Sequence, residues 1–88
     1  MSDLVKADGF DKAIIGFTQV WNTECFVVVY DASVIIKELV QRDGMSHEEA
    51  VEFFEFNIQG AYVGKNTPMY MWPSDADGIE ELAEYLDE

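Results

Sequence analysis

The chain is poor in the residue types that most often identify a catalytic or metal site. It contains one cysteine, Cys25, one histidine, His47, and five lysine or arginine residues among 88. A single cysteine excludes an internal disulfide and suits a reducing compartment, so we expect a cytoplasmic protein. One Cys and one His do not make a zinc site. Cys25 lies in an apolar stretch, where a free cysteine usually behaves as a small hydrophobic residue.

The shortage of basic residues leaves the chain strongly acidic. Eighteen aspartates and glutamates give a net charge of −13 and an isoelectric point of about 4.1. DNA affinity depends on Lys and Arg that neutralise phosphates, so direct binding of nucleic acid is disfavoured. Docking on anionic membranes is disfavoured for the same reason, and no stretch approaches the roughly 18 consecutive apolar residues of a membrane span. A basic protein surface remains a fitting partner.

Motifs for phosphate or calcium binding are also missing. No glycine-rich loop ends in the GK[ST] of a Walker element. Asp75, Asp77 and Gly78 resemble part of an EF-hand loop, but that alignment puts Pro73, which has no side-chain ligand, at the first position. The many remaining carboxylates are predicted on solvated helix faces. The sequence therefore predicts a non-enzyme without a metal or cofactor.

What the chain does have is a well-marked central helix. Ser46 is a good N-cap, and Glu49 three residues later completes a capping box. Apolar residues then recur at helical spacing, which predicts an amphipathic helix from Ser46 to about Ala61. Glu48, Glu52 and Glu55 are predicted on its polar side.

Two residues of this helix break the pattern. Asn57 is predicted within the apolar arc, where a buried amide needs partners. It is expected either to hold a neighbouring loop or strand end, or to be a specificity contact in a pocket. Phe56 is predicted on the polar side, either covered by the C-terminal segment or part of a partner-binding patch.

Gly60 and Gly64 follow at the end of the predicted helix. They indicate a close backbone approach or a helix C-cap. Gly64 is the better candidate for the residue just after the cap.

These residues also carry a resemblance to a known group. The run DGMSHEEA (43–50), the run FNIQGAYVG (56–64) and Thr67-Pro68 match a DGM-[ST]-x-EEA … FN-x-x-GA-[YW]-VG … TP pattern. The chain thus resembles a group of small uncharacterised proteins encoded in bacteriophage and bacterial genomes, over roughly residues 13–70. The resemblance implies a phage context and the cytoplasm of a bacterial host, and it transfers no activity.

The remaining elements give an α+β fold in the order β-β-α-α-β-α. Residues 12–20 and 25–30 predict an antiparallel hairpin. Residues 32–43 predict a helix between the N-cap Asp31 and Gly44, and this helix forms a helical hairpin with the central one.

The C-terminal half completes the predicted fold. Residues 68–72 predict a third strand, so we expect a three-stranded antiparallel sheet packed on the helical hairpin. From Asp75 an acidic final helix, with apolar residues at helical spacing, is predicted to close an edge or end of the sheet. The whole chain is expected to be one small domain, with residues 1–8 a loose leader.

Three hypotheses for function follow. The first is an acidic interaction protein that binds the basic surface of a host nucleic-acid-binding protein, as an inhibitor or DNA mimic. The second is a small structural or accessory module, in one form a homodimer. The third is a regulatory domain with a small-ligand pocket around Asn57, Tyr62 and Trp72. The first hypothesis assigns partner binding to Glu48, Glu52, Glu55, Phe56, Glu80, Glu81 and Glu84.

Overall fold

The computed structural model describes residues 4–87 as an α+β fold. Its elements in chain order are β1 (Ile14–Gln19), β2 (Phe26–Asp31), α1 (Ala32–Asp43), α2 (His47–Phe53) with a π-helical continuation (Phe54–Gln59), β3 (Met69–Met71) and α3 (Ala76–Leu86). The predicted order β-β-α-α-β-α is confirmed.

The strands form one sheet in the order β1-β2-β3. β1 and β2 form the predicted antiparallel hairpin, with Phe17 opposite Val28 and one irregularity in the register between Ile14 and Gly16. The hairpin turn includes Asn22 at φ 59°, a left-handed conformation that asparagine tolerates better than most residues.

The third strand corrects the predicted sheet. β3 pairs with β2 in parallel, with Tyr30 opposite Tyr70, so the sheet is mixed and not purely antiparallel. The physical reason is the connection between them. From Asp31 to Met69 the chain passes through two helices, and a long helical crossover permits the parallel pairing that a short hairpin does not.

Helix α1 supplies much of the core. Asp31 caps it by accepting from the backbone N–H groups of Ser33 and Val34, and Gly44 ends it at φ 72° in the left-handed region. Both signals were predicted from the sequence. The residues that α1 buries are Ala32, Ile35, Ile36 and Leu39.

Phe54 joins the central helix to the sheet. Its ring is fully buried and makes edge contacts with Tyr70 and Trp72, at centroid distances of 5.4 and 5.9 Å. Tyr70 in turn stacks on Tyr30 at 5.5 Å. Aromatic pairs in these arrangements stabilise a core beyond the area that they bury.

The segment before β1 is fixed to this core. The backbone N–H of Ala7 donates to the Tyr30 hydroxyl at 2.7 Å. Arg42 lies over the Phe10 ring at 5.0 Å and donates to the Gly9 carbonyl at 2.7 Å. Of the leader predicted at residues 1–8, residues 1–3 lie outside the described residues, whereas Ala7 is held by these contacts.

Helix α3 differs from its prediction. Asp75 caps it by accepting from the Gly78 N–H at 2.8 Å, but α3 buries none of its residues. The expectation that it closes an edge or end of the sheet is therefore wrong. Its apolar stripe, which includes Ile79, Leu82 and Leu86, lies exposed.

Candidate functional site

The capping box of α2 forms as predicted. The Ser46 hydroxyl accepts from the Glu49 N–H at 3.2 Å, and the Glu49 carboxylate accepts from the Ser46 N–H at 2.9 Å. The hydrogen bond from the Ser46 backbone lowers the pKa of Glu49, and the bond with the Ser46 side chain adds to this. Glu49 is therefore held in place and anionic at neutral pH.

Beyond Phe53 the helix widens. Residues Phe54–Gln59 form π-helical turns, and the Gly60 N–H donates to the Glu55 carbonyl, five residues back, at 3.0 Å. A Cβ on Gly60 would lie 2.9 Å from that carbonyl oxygen. Gly60 therefore fits both alternatives given for it, since it is the C-cap of the π-helical segment and its backbone lies close to that of Glu55. The helix ends before the predicted Ala61.

The wider turn changes which side chains reach the core. Phe54 and Ile58 are buried, whereas Asn57 is exposed. The prediction of a buried Asn57 is wrong, because it assumed 100° per residue, and a π-helical turn rotates each residue less. Phe56 is 76% exposed, so its predicted cover by the C-terminal segment is also wrong.

Gly64 is not the helix cap that the sequence indicated. It lies five residues past the last π-helical residue, at φ 109°, in a turn where the Thr67 N–H donates to its carbonyl at 3.1 Å. The turn requires glycine at this position, since few other residues adopt such a φ.

A groove lies over the junction of α2 and the π-helical segment. It has a volume of about 270 Å³ and two exposed aromatic rings, Phe53 and Phe56, beside two carboxylates. Its full lining is Met45, Glu49, Glu52, Phe53, Phe56 and Asn57. Neither Phe53 nor Glu49 was predicted to contribute to a site, although their spacing with Glu52 and Phe56 (i, i+3, i+4, i+7) is that of one α-helical face.

A second groove, of about 250 Å³, lies between the N-terminal segment and the end of the central helix. Ala7, Asn57, Ile58 and Tyr70 are among its lining residues. Tyr62 and Trp72, which the ligand hypothesis placed with Asn57, do not line it, and Tyr62 is 79% exposed. Burial raises the pKa of Tyr70, with a smaller effect from Tyr30, so its hydroxyl stays neutral at physiological pH.

The acidic residues of the two helices are exposed and have no ion-pair partner among residues 4–87. The ion pairs of residues 4–87 join Lys6 to Asp11 and Arg42 to Asp43, so neither pair neutralises α2 or α3. Lys65 is the single basic residue after Asp43. The exposed glutamates assigned to partner binding are Glu48, Glu52, Glu55, Glu80, Glu81 and Glu84.

On α3 the charges lie on one side. At 100° per residue its acidic residues fall within one arc and its apolar residues within the opposite arc. The acidic arc contains Asp77, Glu80, Glu81, Glu84 and Asp87, all exposed.

Other kinds of site have no support in the part of the chain that the structure describes. No group of three or more His, Cys, Asp or Glu residues there is arranged to hold a metal ion. Cys25 is half-buried, and His47 is exposed at the start of α2. Among the helices of residues 4–87, none has the length and apolar character needed to span a bilayer.

Comparison of the chain with family models, with curated proteins and with solved structures gives no match in any of the three. The class of protein therefore rests on the fold and on the exposed acidic and aromatic surface.

Proposed function

We propose that this protein is a non-enzymatic acidic interaction protein that binds a basic surface of another protein, in the way that an inhibitor or DNA mimic does. The observation that carries the proposal is α3, a helix with its acids in one arc, no buried residue and no ion pair to any residue that the structure describes. Charged side chains that stabilise a fold are usually paired or partly covered. The acidic side chains of α3 instead face solvent. A basic surface that normally binds phosphates is complementary to such a helix.

The acidic residues of α2 extend the same surface chemistry. Residues from Asp43 onward hold 12 of the 18 acidic residues and one of the five basic residues. This concentration in the helical second half favours long-range attraction of a basic partner, which speeds association at low salt. The phage context that the resemblance implies favours a host protein as that partner.

The test is a pull-down from a nuclease-treated bacterial lysate, washed first at low and then at high salt. We expect a basic, nucleic-acid-binding protein to be retained at low salt and released at high salt. The variant Glu80→Gln, Glu81→Gln, Glu84→Gln should lose this protein while it keeps the circular dichroism spectrum of the wild type.

A matched control removes the same charge elsewhere. The variant Asp8→Asn, Glu24→Gln, Glu38→Gln also loses three negative charges, outside α2 and α3. Capture unchanged in the control and lost in the α3 variant supports the proposal. Equal capture by both variants and the wild type would refute it.

A self-associating accessory module is the second candidate, favoured by the free edge of the sheet. β1 is an outer strand in a run, residues 13–23, that has no charged residue. Unprotected edge strands pair readily with other chains, and Phe17 is 68% exposed there. Gel filtration of the wild type against Phe17→Lys tests this, because a charge on the edge should convert a β1-paired dimer to a monomer.

A further inference from the structure

The groove over α2 combines aromatic rings with carboxylates. Phe53 and Phe56, which are 39% and 76% exposed to solvent, line the groove together with Glu49 and Glu52. A ring face attracts a cation, and a carboxylate can accept a charge-assisted hydrogen bond from the same group. Aromatic rings alone, or carboxylates alone, would fit many ligands. A groove with both is complementary to a cationic group that has a flat face.

The carboxylates of the groove keep oxygen atoms that can still accept hydrogen bonds from a ligand. The capping box fixes one oxygen of Glu49 on the Ser46 N–H and leaves the second oxygen available to a ligand. Glu52 is exposed and takes part in neither of the ion pairs of residues 4–87. None of the described residues that line the groove is basic, so its charge complements a cation.

We propose that this groove binds an arginine side chain of the basic partner, a proposal that rests on the proposed function. A guanidinium is planar, stacks on aromatic rings and donates in a fork that matches a carboxylate. The Asn57 side chain, also in the lining, supplies a further acceptor oxygen. A lysine ammonium offers a point charge without the flat face, and an apolar ligand would desolvate the two carboxylates without a partner.

The chain already contains one such arrangement. Arg42 lies over the Phe10 ring at 5.0 Å while it donates to the Gly9 carbonyl at 2.7 Å and to Asp43 at 3.1 Å. A second copy of this chain is an unsuitable occupant, because it carries a net charge of −13 with only five basic residues.

The experiment measures binding of fluorescein-labelled nona-arginine and nona-lysine peptides by anisotropy at several salt concentrations. We expect nona-arginine to bind more tightly at every salt concentration, although the two peptides carry equal charge. Phe56→Ala should weaken nona-arginine binding about two- to fivefold, which is the size of an exposed cation–π contact.

The control is Tyr62→Ala, since Tyr62 is an aromatic residue of similar exposure that lies outside the groove. It should leave the affinity unchanged. A second matched pair tests the carboxylates: Glu52→Gln should weaken binding more than Glu24→Gln, although each removes one charge. Melting curves of the four variants establish that they are folded.

The outcomes separate this proposal from the broader one. If Phe56→Ala binds as Tyr62→Ala does, or if both peptides bind equally, the groove proposal is overturned, while capture of a basic protein from lysate still supports the acidic surface. If the Phe56 and Glu52 effects appear but no lysate protein is captured, the groove stands and the proposed function fails.

Discussion

The substitution Gly60→Ala tests the geometry at the end of the π-helical segment. Gly60 has φ −77° and ψ −7°, a conformation open to every L-amino acid, so its backbone angles do not require glycine. What requires glycine is space. A Cβ would lie 2.9 Å from the Glu55 carbonyl oxygen and 3.3 Å from that of Phe56. Both atoms belong to the backbone, so the π-helical turn itself must move to make room.

Two opposing terms set the size of the effect. Replacing glycine by alanine lowers the entropy of the unfolded chain and stabilises a compatible site by about 0.4–1 kcal/mol. Overpacking costs about 1–3 kcal/mol. We therefore expect Gly60→Ala to lower the free energy of unfolding by about 1 kcal/mol. For a domain of this size, that is a melting temperature lower by roughly 4–8 °C.

Urea unfolding followed by circular dichroism gives the measurement, with Gly16→Ala as its control. A Cβ on Gly16 meets no atom within 4 Å, so that variant should be neutral or more stable by up to about 1 kcal/mol, since glycine weakens a strand interior. If Gly60→Ala is as stable as the wild type while Gly16→Ala behaves as expected, the close approach at the end of the π-helical segment is refuted.

Further predictions concern the core and two titrating groups. Phe54→Ala removes a fully buried ring and should cost about 3–5 kcal/mol in urea unfolding; a loss below 1 kcal/mol would contradict its central position. Ser46→Ala removes the N-cap and should cost about 1 kcal/mol. Because the pKa of Glu49 is lowered in the fold from 4.5, its stabilisation is present above pH 4.5 and is lost as the pH falls through the folded value; Glu49→Gln should therefore destabilise at pH 7 and match the wild type in strong acid. Because burial raises the pKa of Tyr70 above 10.0, its contribution is present below pH 10 and is lost as the pH rises through the folded value; Tyr70→Phe should flatten the alkaline loss of stability seen by circular dichroism, and an unchanged alkaline curve would contradict this assignment.

Signals that act within a few residues were predictable from the sequence. The capping box of Ser46 and Glu49, the N-cap Asp31 and the left-handed Gly44 all formed as expected. Each depends on hydrogen bonds or backbone angles set by its neighbours in sequence, so tertiary context leaves it unchanged.

Features that depend on distant parts of the chain were not predictable in this way. The direction of β3 depends on where a crossover of two helices returns the chain, and the apolar pattern of residues 68–72 is the same in either direction. The sequence also predicted that the apolar stripe of α3 would be buried, since such a pattern normally faces a core. Here the core is built from α1, β2, the central helix and the segment before β1, without α3.

The groove illustrates a limit of helical periodicity. Asn57 was assigned to the apolar arc on the assumption of a regular α-helix, and this assignment failed in the π-helical segment. Phe56 was assigned to the polar side and is exposed, as that assignment predicts. The sequence predicted that Glu52 lies on the polar side of the helix. It left open whether Phe56 is covered by the C-terminal segment or belongs to a partner-binding patch. Glu49, Glu52, Phe53 and Phe56 recur at i, i+3, i+4 and i+7, which is the spacing of one α-helical face, so what the sequence did not show is that this face stays uncovered.

The parallel pairing of β3 with β2 has a consequence for the order of folding. Tyr30 and Tyr70 are opposite each other, so this pairing closes a loop of about 40 residues, whereas the β1–β2 hairpin closes a short one. Loop closure costs more entropy as the loop lengthens, and non-local pairings form slowly. We therefore expect the β1–β2 hairpin, α1 and α2 to assemble first and β3 to join the sheet last. Because α3 follows β3 directly, the acidic helix is positioned only in this final step.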